Sequence, residues 1–233
     1  MTEFTTWRSL VDGDEISDIP DSENLHFHYD AQEAFDDGDD GNEINSWSDE
    51  TVNGFDLSGG SPTVRSDGIN GNLALEFDGT DDTLTIGSDD WDSISQVNTI
   101  YIVLEPTSGS NSNAFDHNDG DDERTQLWYR GTETDGWRSF AGESLVSDDT
   151  TIYQQITTKF DGANSLIRGE GTEIVSGDAG TQGIDSFRVG SQTGGNRMFD
   201  GYIGEILGYD ADHDSTTMGD VESYLFNRWG ITN

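Results

Sequence analysis

The chain has 233 residues, a length that one all-β domain can fill. It carries 48 acidic and 10 basic residues, and a formal net charge of −38 would repel nucleic acid and anionic membrane surfaces. No apolar run approaches the ~20 residues that span a bilayer, and the absence of Cys excludes disulfides and thiol nucleophiles.

The acidic residues are mainly the shorter type, with 33 Asp and 15 Glu, while Lys159 is the single lysine. Such a charge destabilises a folded chain in dilute buffer, but the screening length falls to about 3 Å at 1 M salt. An acidic disordered polymer is the weaker alternative, because 6 Trp, 7 Tyr and 11 Phe are spread along the chain. The composition therefore predicts a folded protein adapted to molar salt.

Residues 1–24 are predicted to form an N-terminal arm. An apolar stripe from Phe4 to Val11 has helical spacing, and Pro20 ends any regular element. A single helical turn is unstable in water, so the stripe must dock on its own domain or on another subunit. The first residues lack the apolar segment of a secretory signal, so we expect no export by that route.

From residue 25 onward the pattern has period two, with turns made by Gly, Asp, Asn and Ser. Residues 98–105 are predicted to form a central strand buried on both faces, and residues 36–43 and 111–123 to form polar surface loops. The other strands are predicted at 25–30, 73–78, 84–86, 125–131, 136–141, 152–160, 165–168, 172–175, 186–189 and 201–209. Strands of this number and spacing indicate an antiparallel two-sheet sandwich.

One helix is predicted near the C-terminus. Asp214 or Ser215 can cap its N-terminus, and Gly230 is suited to end it. The apolar stripe that would bury this helix consists of Met218, Val221, Leu225 and Trp229.

Four stretches resemble the laminin-G-like jelly-roll domains of the concanavalin A-like lectin/glucanase superfamily, of haloarchaeal or haloarchaeal-virus type. They are Ile44-Asn-Ser-Trp47-Ser-Asp49-Glu-Thr-Val-Asn53-Gly54, Leu73-Ala-Leu-Glu-Phe77-Asp78-Gly79-Thr-Asp81-Asp82-Thr-Leu84, Phe199-Asp-Gly201-Tyr-Ile-Gly204-Glu205-Ile-Leu-Gly208-Tyr209 and Val221-Glu-Ser-Tyr-Leu225-Phe-Asn-Arg228-Trp229-Gly230-Ile231. The resemblance implies an all-β, two-sheet antiparallel jelly-roll sandwich over residues 25–233 with a short C-terminal helix. Gly204 and Gly208 are expected to leave room for that helix. Residues 110–150 lack a family signature.

A ligand-binding face is predicted where arginine and aromatic residues alternate. Three of the ten basic residues, Arg124, Arg130 and Arg138, fall within fifteen consecutive positions. Aromatic rings stack on sugars and arginine forks bind hydroxyls or carboxylates. The candidate ligand-binding residues are Trp128, Arg130, Trp137 and Arg138. The alternative places Leu127, Tyr129 and Trp137 in the core as ordinary strand alternation.

The resemblance also implies a calcium ion in the rim loops, and oxygen-rich segments offer ligands for it. The candidate ligands are Asp81, Asp82, Asp116, Asp119 and Asp121, although acidic runs in such a chain also serve as solvated surface. His26 and His28 share a face of one predicted strand and could form half of a metal site, or simply face solvent.

Glucanases of this superfamily carry a strand of the type E-x-D-x-x-E, which presents two catalytic carboxylates on one face. The sequence contains no such run, and Glu170–Glu173 has the wrong spacing. We therefore expect a protein that binds without catalysis.

The predicted role is a surface module of a haloarchaeal virus particle, such as a head-decoration, turret or fibre protein. Its partners would be other virion proteins and a host cell-surface glycan or glycoprotein, with no nucleic acid and no membrane insertion, and it is expected to form a homo-oligomer. The alternative is a haloarchaeal cell-surface or secreted carbohydrate-binding or adhesion domain, or less readily a divergent glycoside hydrolase.

Overall fold

The alternating sequence folds into short antiparallel strands, as predicted. The structure, a computed structural model, describes residues 18–107, 111–117, 124–130 and 136–232. The strands are β1 (Leu25–Asp30), β2 (Ser46–Trp47), β3 (Leu57–Ser58), β4 (Thr63–Arg65), β5 (Ala74–Asp78), β6 (Leu84–Ile86), β7 (Asn98–Pro106), β8 (Asn111–Asp116), β9 (Gln126–Arg130), β10 (Trp137–Phe140), β11 (Ser144–Val146), β12 (Gln155–Phe160), β13 (Ser165–Gly169), β14 (Thr172–Gly177), β15 (Phe187–Val189) and β16 (Asp200–Tyr209). The helices are α1 (Ala31–Ala34) and α2 (Ser215–Trp229).

The strands form two antiparallel sheets that pack face to face. The first sheet has the order β14-β13-β12-β7-β16-β5-β4, and β1 pairs with the second half of β16 beside β5. The second sheet has the order β11-β10-β9-β8-β15-β6-β3-β2. This arrangement confirms the predicted all-β, two-sheet antiparallel sandwich with a C-terminal helix.

The first sheet is covered on both faces, and β7 shows why. Ile100, Ile102 and Leu104 point into the core between the sheets. Tyr101 and Val103 point the other way, into a second apolar layer beneath α2. The prediction of a strand buried on both faces is therefore confirmed.

Helix α2 forms the second layer as the sequence predicted. Asp214 caps its N-terminus by accepting hydrogen bonds from the backbone amides of Thr216 and Thr217, and Gly230 ends it with φ of 64°. The buried stripe of this helix contains Met218, Val221, Leu225 and Trp229. Neither α1 nor α2 in the described residues is long and apolar enough to cross a membrane.

A buried ion cluster of His28, Asp30, Glu205 and Arg228 fastens α2 to the first sheet. Arg228 donates to Asp30 Oδ2 from Nε at 2.9 Å and from Nη2 at 2.6 Å, while Trp229 donates from Nε1 to Glu205 Oε2 at 2.6 Å. His28 Nε2 lies 3.0 Å from Glu205 Oε1. Since one side of the cluster comes from α2 and the other from β1 and β16, these bonds fix the helix in place.

The cluster holds protons tightly. Burial and the charge of Glu205 raise the pKa of Asp30 to about 7, although Arg228 and His28 oppose the rise. Burial lowers the pKa of His28, but its hydrogen bond to Glu205 and the charges of Glu205 and Asp30 outweigh burial, so the pKa is raised. The folded state therefore binds more protons here than the unfolded chain does.

Two expectations, about residues 111–123 and about Gly208, were wrong. Residues 111–116 form strand β8 rather than a loop, because their inward positions Ala114 and Phe115 are apolar and β9 and β15 pair with them. Gly208 makes room for Phe27 in the core and not for α2, whereas Gly204 does lie under Trp229 of the helix.

The two histidines of β1 do not share a face. A bulge between Leu25 and Phe27 shifts the alternation, so His26 stacks on Phe55 with ring centroids 5.1 Å apart while His28 enters the buried ion cluster. Because His28 is 3% exposed, the expectation that it faces solvent was also wrong.

The described end of the N-terminal arm packs on its own domain. Ile19 is buried in the layer beneath α2, and the Pro20 carbonyl accepts a hydrogen bond from the Tyr209 hydroxyl at 3.0 Å. Asp21 Oδ2 lies 3.0 Å from His213 Nε2. The predicted apolar stripe from Phe4 to Val11 lies outside the described residues.

We expect Gly204→Ala to lower the free energy of unfolding by about 1–3 kcal/mol, because a methyl group there would overlap the Trp229 ring. Gly219→Ala is the matched control, since its added methyl group meets no atom and Ala is the better helix former, so stability should rise by about 0.5–1 kcal/mol. Urea unfolding in molar KCl measures both. Equal effects of the two changes would contradict the packing of α2 on β16.

The buried ion cluster predicts that stability falls as pH rises from about 4 through 7, since a raised folded-state pKa of Asp30 favours folding only while the proton is bound. The slope is on the order of 1 kcal/mol per pH unit for one extra proton. Asp30→Asn removes this titration, so urea unfolding at several pH values should give a shallower slope. The exposed Asp148→Asn should keep the wild-type slope. An unchanged slope in Asp30→Asn would show that Asp30 does not hold the proton.

Candidate functional site

The outward face of the second sheet carries much of the positive charge of the molecule. Alternation in β9 turns Leu127 and Tyr129 into the core and leaves Gln126, Trp128 and Arg130 facing outward. The same rule turns Arg138 of β10 and Arg188 of β15 outward. We call this surface the arginine face, and its basic residues are Arg124, Arg130, Arg138, Arg188 and Arg197, five of the ten in the chain.

Trp128 lies at the centre of the arginine face between two guanidinium groups. The Cζ atom of Arg138 is 5.9 Å from the Trp128 ring centroid, and that of Arg197 is 5.4 Å away. These are cation–π contacts. Trp128 is only 4% exposed, so its ring supports the arginines rather than offering a bare surface for stacking.

Arg197 reaches Trp128 from a distant part of the chain. Its carbonyl accepts a hydrogen bond from the amide of Asn113 at 2.9 Å, which joins its loop to β8. Its φ is 50°, a left-handed conformation that costs a non-glycine residue about 1 kcal/mol. This left-handed backbone conformation is the one in which the Arg197 guanidinium lies over the Trp128 ring.

Asp116 anchors the edge of the arginine face. Its carboxylate accepts hydrogen bonds from Arg124 Nε at 3.2 Å and Nη2 at 3.1 Å, from Gln126 Nε2 at 2.5 Å, and from the backbone amides of Thr193 at 2.8 Å and His117 at 2.8 Å. Burial raises the pKa of Asp116, but the hydrogen bonds from His117 and Arg124 outweigh it and hold the pKa below its ordinary value. Asp116 therefore stays ionised and fully engaged.

The described strands of the arginine face contain more basic than acidic residues. Strands β8, β9, β10 and β15 contain three arginines and one acidic residue, Asp116, in a chain with 48 acidic residues. Burial and then the charges of Arg130, Arg124 and Arg138 lower the pKa of Arg197, which Asp116 only partly offsets. The arginines thus lie close enough to repel one another.

Polar groups beneath the arginines lack partners. Within the part of the chain that the structure describes, Trp128 Nε1 and both amide atoms of Asn113 are buried without a hydrogen bond. Asn113 and Trp128 pair directly across β8 and β9, so their side chains share the arginine face. A buried unpaired polar group costs about 1–3 kcal/mol, which a water or ligand can recover.

The predicted ligand-binding residues divide between two faces. Trp128, Arg130 and Arg138 lie together on the arginine face, whereas Trp137 points into the core, packs on Tyr129 with ring centroids 4.8 Å apart and donates from Nε1 to the Thr151 carbonyl at 2.9 Å. The alternative that placed Trp137 in the core describes its position, so we leave Trp137 out of the site. Sequence reasoning missed Arg188, Arg197 and Asn113. The scarcity of basic residues was a signal for the two arginines, and nothing in the sequence marked Asn113.

The predicted calcium ligands that the structure describes are divided between the turn after β5 and the end of β8. Asp81 and Asp82 lie with Asp78 in the turn between β5 and β6, where the three carboxylates converge within 4.8 Å. Asp82 is already bound, since it accepts hydrogen bonds from the Asp78 amide at 2.9 Å and the Ser61 hydroxyl at 3.2 Å. These hydrogen bonds stabilise the turn between β5 and β6. Calcium binding there stays a prediction.

The remaining calcium candidates lie elsewhere. Asp116 is paired with Arg124, and a cation would have to displace that guanidinium, so we leave it out of any metal site. Asp119 and Asp121 lie outside the described residues. His28, Asp30 and Glu205 also have ligand atoms within 4.8 Å of one another, but Arg228 already binds both carboxylates.

A cleft of about 460 Å³ lies away from the arginine face. It is lined by Phe35, Ile44 and Gly60 together with neighbouring polar residues, and none of its lining residues is an arginine. The cleft is a surface groove beside the edge strand β2, and it lacks the basic side chains of the arginine face.

Comparison with known proteins identifies the fold. No protein-family model matches the chain, and no curated protein matches it. Among solved structures, Domain 4 of AbnA, a GH43 extracellular arabinanase from Geobacillus stearothermophilus in complex with arabinotriose, is similar with a TM-score of 0.60 and 15% identity over 85% of this chain and 98% of that chain. The binding domain of Paraclostridial Mosquitocidal Protein 1 is similar with a TM-score of 0.62 and 10% identity over 88% of this chain and 53% of that one.

The Trypanosoma rangeli sialidase in complex with sialic acid is also similar, with a TM-score of 0.59 and 12% identity over 91% of this chain and 34% of that chain. The chain thus spans about half of the mosquitocidal binding domain and about a third of the sialidase. At such identities the likeness concerns the β-sandwich fold alone.

Proposed function

We propose that the domain is a carbohydrate-binding module and that the arginine face is its binding surface. The observation that carries the proposal is that Arg138 and Arg197 lie over Trp128 on a face that holds five of the ten basic residues, beside buried polar groups of Trp128 and Asn113 that lack partners in the described residues. Guanidinium forks and amides are the donors that hold sugar hydroxyls and acidic groups. The shared fold with an arabinanase domain in complex with arabinotriose supports the same class of ligand.

The scarcity of carboxylates in the described strands of the arginine face supports ligand binding rather than catalysis. Glycoside hydrolysis usually needs two carboxylates facing the sugar, one of them able to give up a proton. In the described strands of the arginine face the only carboxylate belongs to Asp116, whose pKa is lowered and whose oxygens accept hydrogen bonds from Arg124 and Gln126. We therefore propose binding without turnover.

We expect the protein to bind at least one glycan of an array in molar KCl, and Trp128→Leu to weaken that binding roughly ten-fold or more, because Arg138 and Arg197 lose their common support. Arg138→Gln provides a second variant should Trp128→Leu unfold. Arg65→Gln is the matched control, since Arg65 lies on the first sheet in an ion pair with Glu76. No glycan bound, or equal binding by all variants, would refute the arginine face as a carbohydrate site.

The biological setting is a further proposal. The acidic composition suits molar salt, and a lectin-like sandwich suits an exposed surface, so we propose display on the surface of a haloarchaeal virus particle as an oligomer, with a haloarchaeal cell surface as the alternative. Purified virus particles should then contain the protein in many copies per particle. Its presence in cell envelopes and absence from particles would favour the alternative.

A further inference from the structure

The cleft beside β2 is a second place where a small ligand fits, separate from the arginine face. Its volume is about 460 Å³, and ligand pockets usually measure ~300–1,000 Å³. It is lined by Phe35, by residues 43–46 and by Gly60 and Ser61. These residues belong to three segments of the chain, so the fold brings together an aromatic ring, an amide, a carboxylate and hydroxyl groups.

The backbone around the cleft is fixed by hydrogen bonds. The Ile44 amide donates to the Pro62 carbonyl at 3.0 Å, and the Gly59 amide donates to the Asn45 carbonyl at 3.0 Å. Ser46 continues this pairing as the first residue of β2, opposite β3. The side chains that line the cleft are therefore held on a regular backbone before any ligand binds.

The apolar part of the cleft consists of Phe35 and Ile44. Both side chains are half-buried and pack against the core between the sheets. Among the described residues no other aromatic ring and no cation contacts the Phe35 ring, whereas two guanidiniums cover Trp128. Phe35 can therefore offer a ring to the apolar side of a ligand, which Trp128 cannot do.

The polar part of the cleft has unused hydrogen-bonding capacity. Glu43, Asn45 and Ser46 are exposed, and within the described part of the chain their side chains make no hydrogen bond or ion pair. Ser61 donates its hydroxyl proton to Asp82 Oδ1 at 3.2 Å, which leaves the Ser61 oxygen to accept. Because a sugar hydroxyl both donates and accepts, this set of amide, carboxylate and hydroxyl groups is complementary to it.

We propose that the cleft binds a neutral saccharide, with Phe35 against the sugar ring and with Glu43, Asn45 and Ser46 bonded to its hydroxyls. This inference goes beyond the proposed function, because it concerns a separate surface and does not depend on the arginine face.

Charge selects a neutral sugar over other small polar ligands. Among the described residues that line the cleft none is basic, and Glu43 is the one charged residue, so an acidic sugar would meet repulsion without compensation. An amine would pair with Glu43 but would leave Asn45 and the serine hydroxyls unmatched. Molar salt screens charge beyond about 3 Å, so hydrogen bonds and apolar contacts, which an uncharged ligand uses, keep their strength.

The test measures affinity by isothermal titration calorimetry in molar KCl. The probes are the neutral trisaccharides xylotriose, maltotriose and mannotriose, the acid trigalacturonate and the amine putrescine. We expect at least one neutral trisaccharide to bind, and trigalacturonate to bind at least ten-fold more weakly than that trisaccharide because Glu43 repels it.

Variants assign the binding to the cleft. Asn45→Ala and Glu43→Gln should each weaken trisaccharide binding roughly three- to ten-fold, the effect of one hydrogen bond, and Phe35→Leu should weaken it by keeping the core contact without the ring. Asn164→Ala and Glu143→Gln are the matched controls and should leave the affinity unchanged. Both control side chains are exposed, make no hydrogen bond in the described part of the chain and lie outside the cleft. Circular dichroism of each variant verifies folding.

Three results would overturn the proposal. They are binding of none of the neutral trisaccharides, equal binding by wild type and the Asn45 and Glu43 variants, and tighter binding of putrescine than of any trisaccharide. Trp128→Leu separates this inference from the proposed function, since it should leave trisaccharide binding at the cleft unchanged. Trisaccharide binding that is lost in Trp128→Leu and kept in Asn45→Ala would support the arginine face and refute the cleft.

Discussion

The first sheet is covered on both faces, by the second sheet on one side and by helix α2 on the other, and this limits where a ligand can bind. Apolar side chains leave that sheet on both sides, and the layer formed by Tyr101, Val103 and Leu207 must be kept from water by α2. The buried ion cluster then fixes the helix, since Arg228 and Trp229 reach carboxylates of β1 and β16. With both faces of the first sheet occupied, the proposed ligand site lies on the outward side of the second sheet, where Arg130, Arg138 and Arg197 are partly exposed.

The acidic composition determines which interactions the arginine face can make with a ligand. A chain with a net charge of −38 repels acidic partners at low ionic strength, and in molar salt the repulsion is screened to about 3 Å. Only contacts made at hydrogen-bond distance then matter. The arginine face concentrates such contacts, and Asp116 neutralises part of its charge so that the neighbouring arginines can lie close together. Salt screening thus has two consequences: it reduces the repulsion within the acidic fold, and it limits binding at the arginine face to contacts at hydrogen-bond distance.

Local sequence patterns predicted the elements whose signals are local. The strand at residues 98–105, the stripe of α2 and its caps at Asp214 and Gly230 all depend on residues close together in the chain, and all were found as predicted. Alternation failed where bulges interrupt it, at Leu25/Phe27 in β1 and at Asn113/Phe115 in β8.

The site was only partly predictable for a related reason. Trp128, Arg130 and Arg138 lie near one another in the sequence, and strand pairing places them on one face. Arg197 lies in a loop far along the chain that a backbone hydrogen bond joins to β8, so no periodic pattern in the sequence predicts its position. Trp137 illustrates the opposite error, because its nearness to Arg138 suggested a shared surface although adjacent strand residues point to opposite sides.

Trp128 explains how a flexible residue type can form a selective surface. An arginine side chain loses about 2 kcal/mol of rotamer entropy when it is immobilised, and a ligand normally bears that cost on binding. Here Arg138 and Arg197 are already held against the indole, and the left-handed backbone at Arg197 directs one of them there before any ligand arrives. An indole that is almost fully covered is therefore consistent with a binding site, because it acts by preorganising the groups that touch the ligand and not by touching the ligand itself.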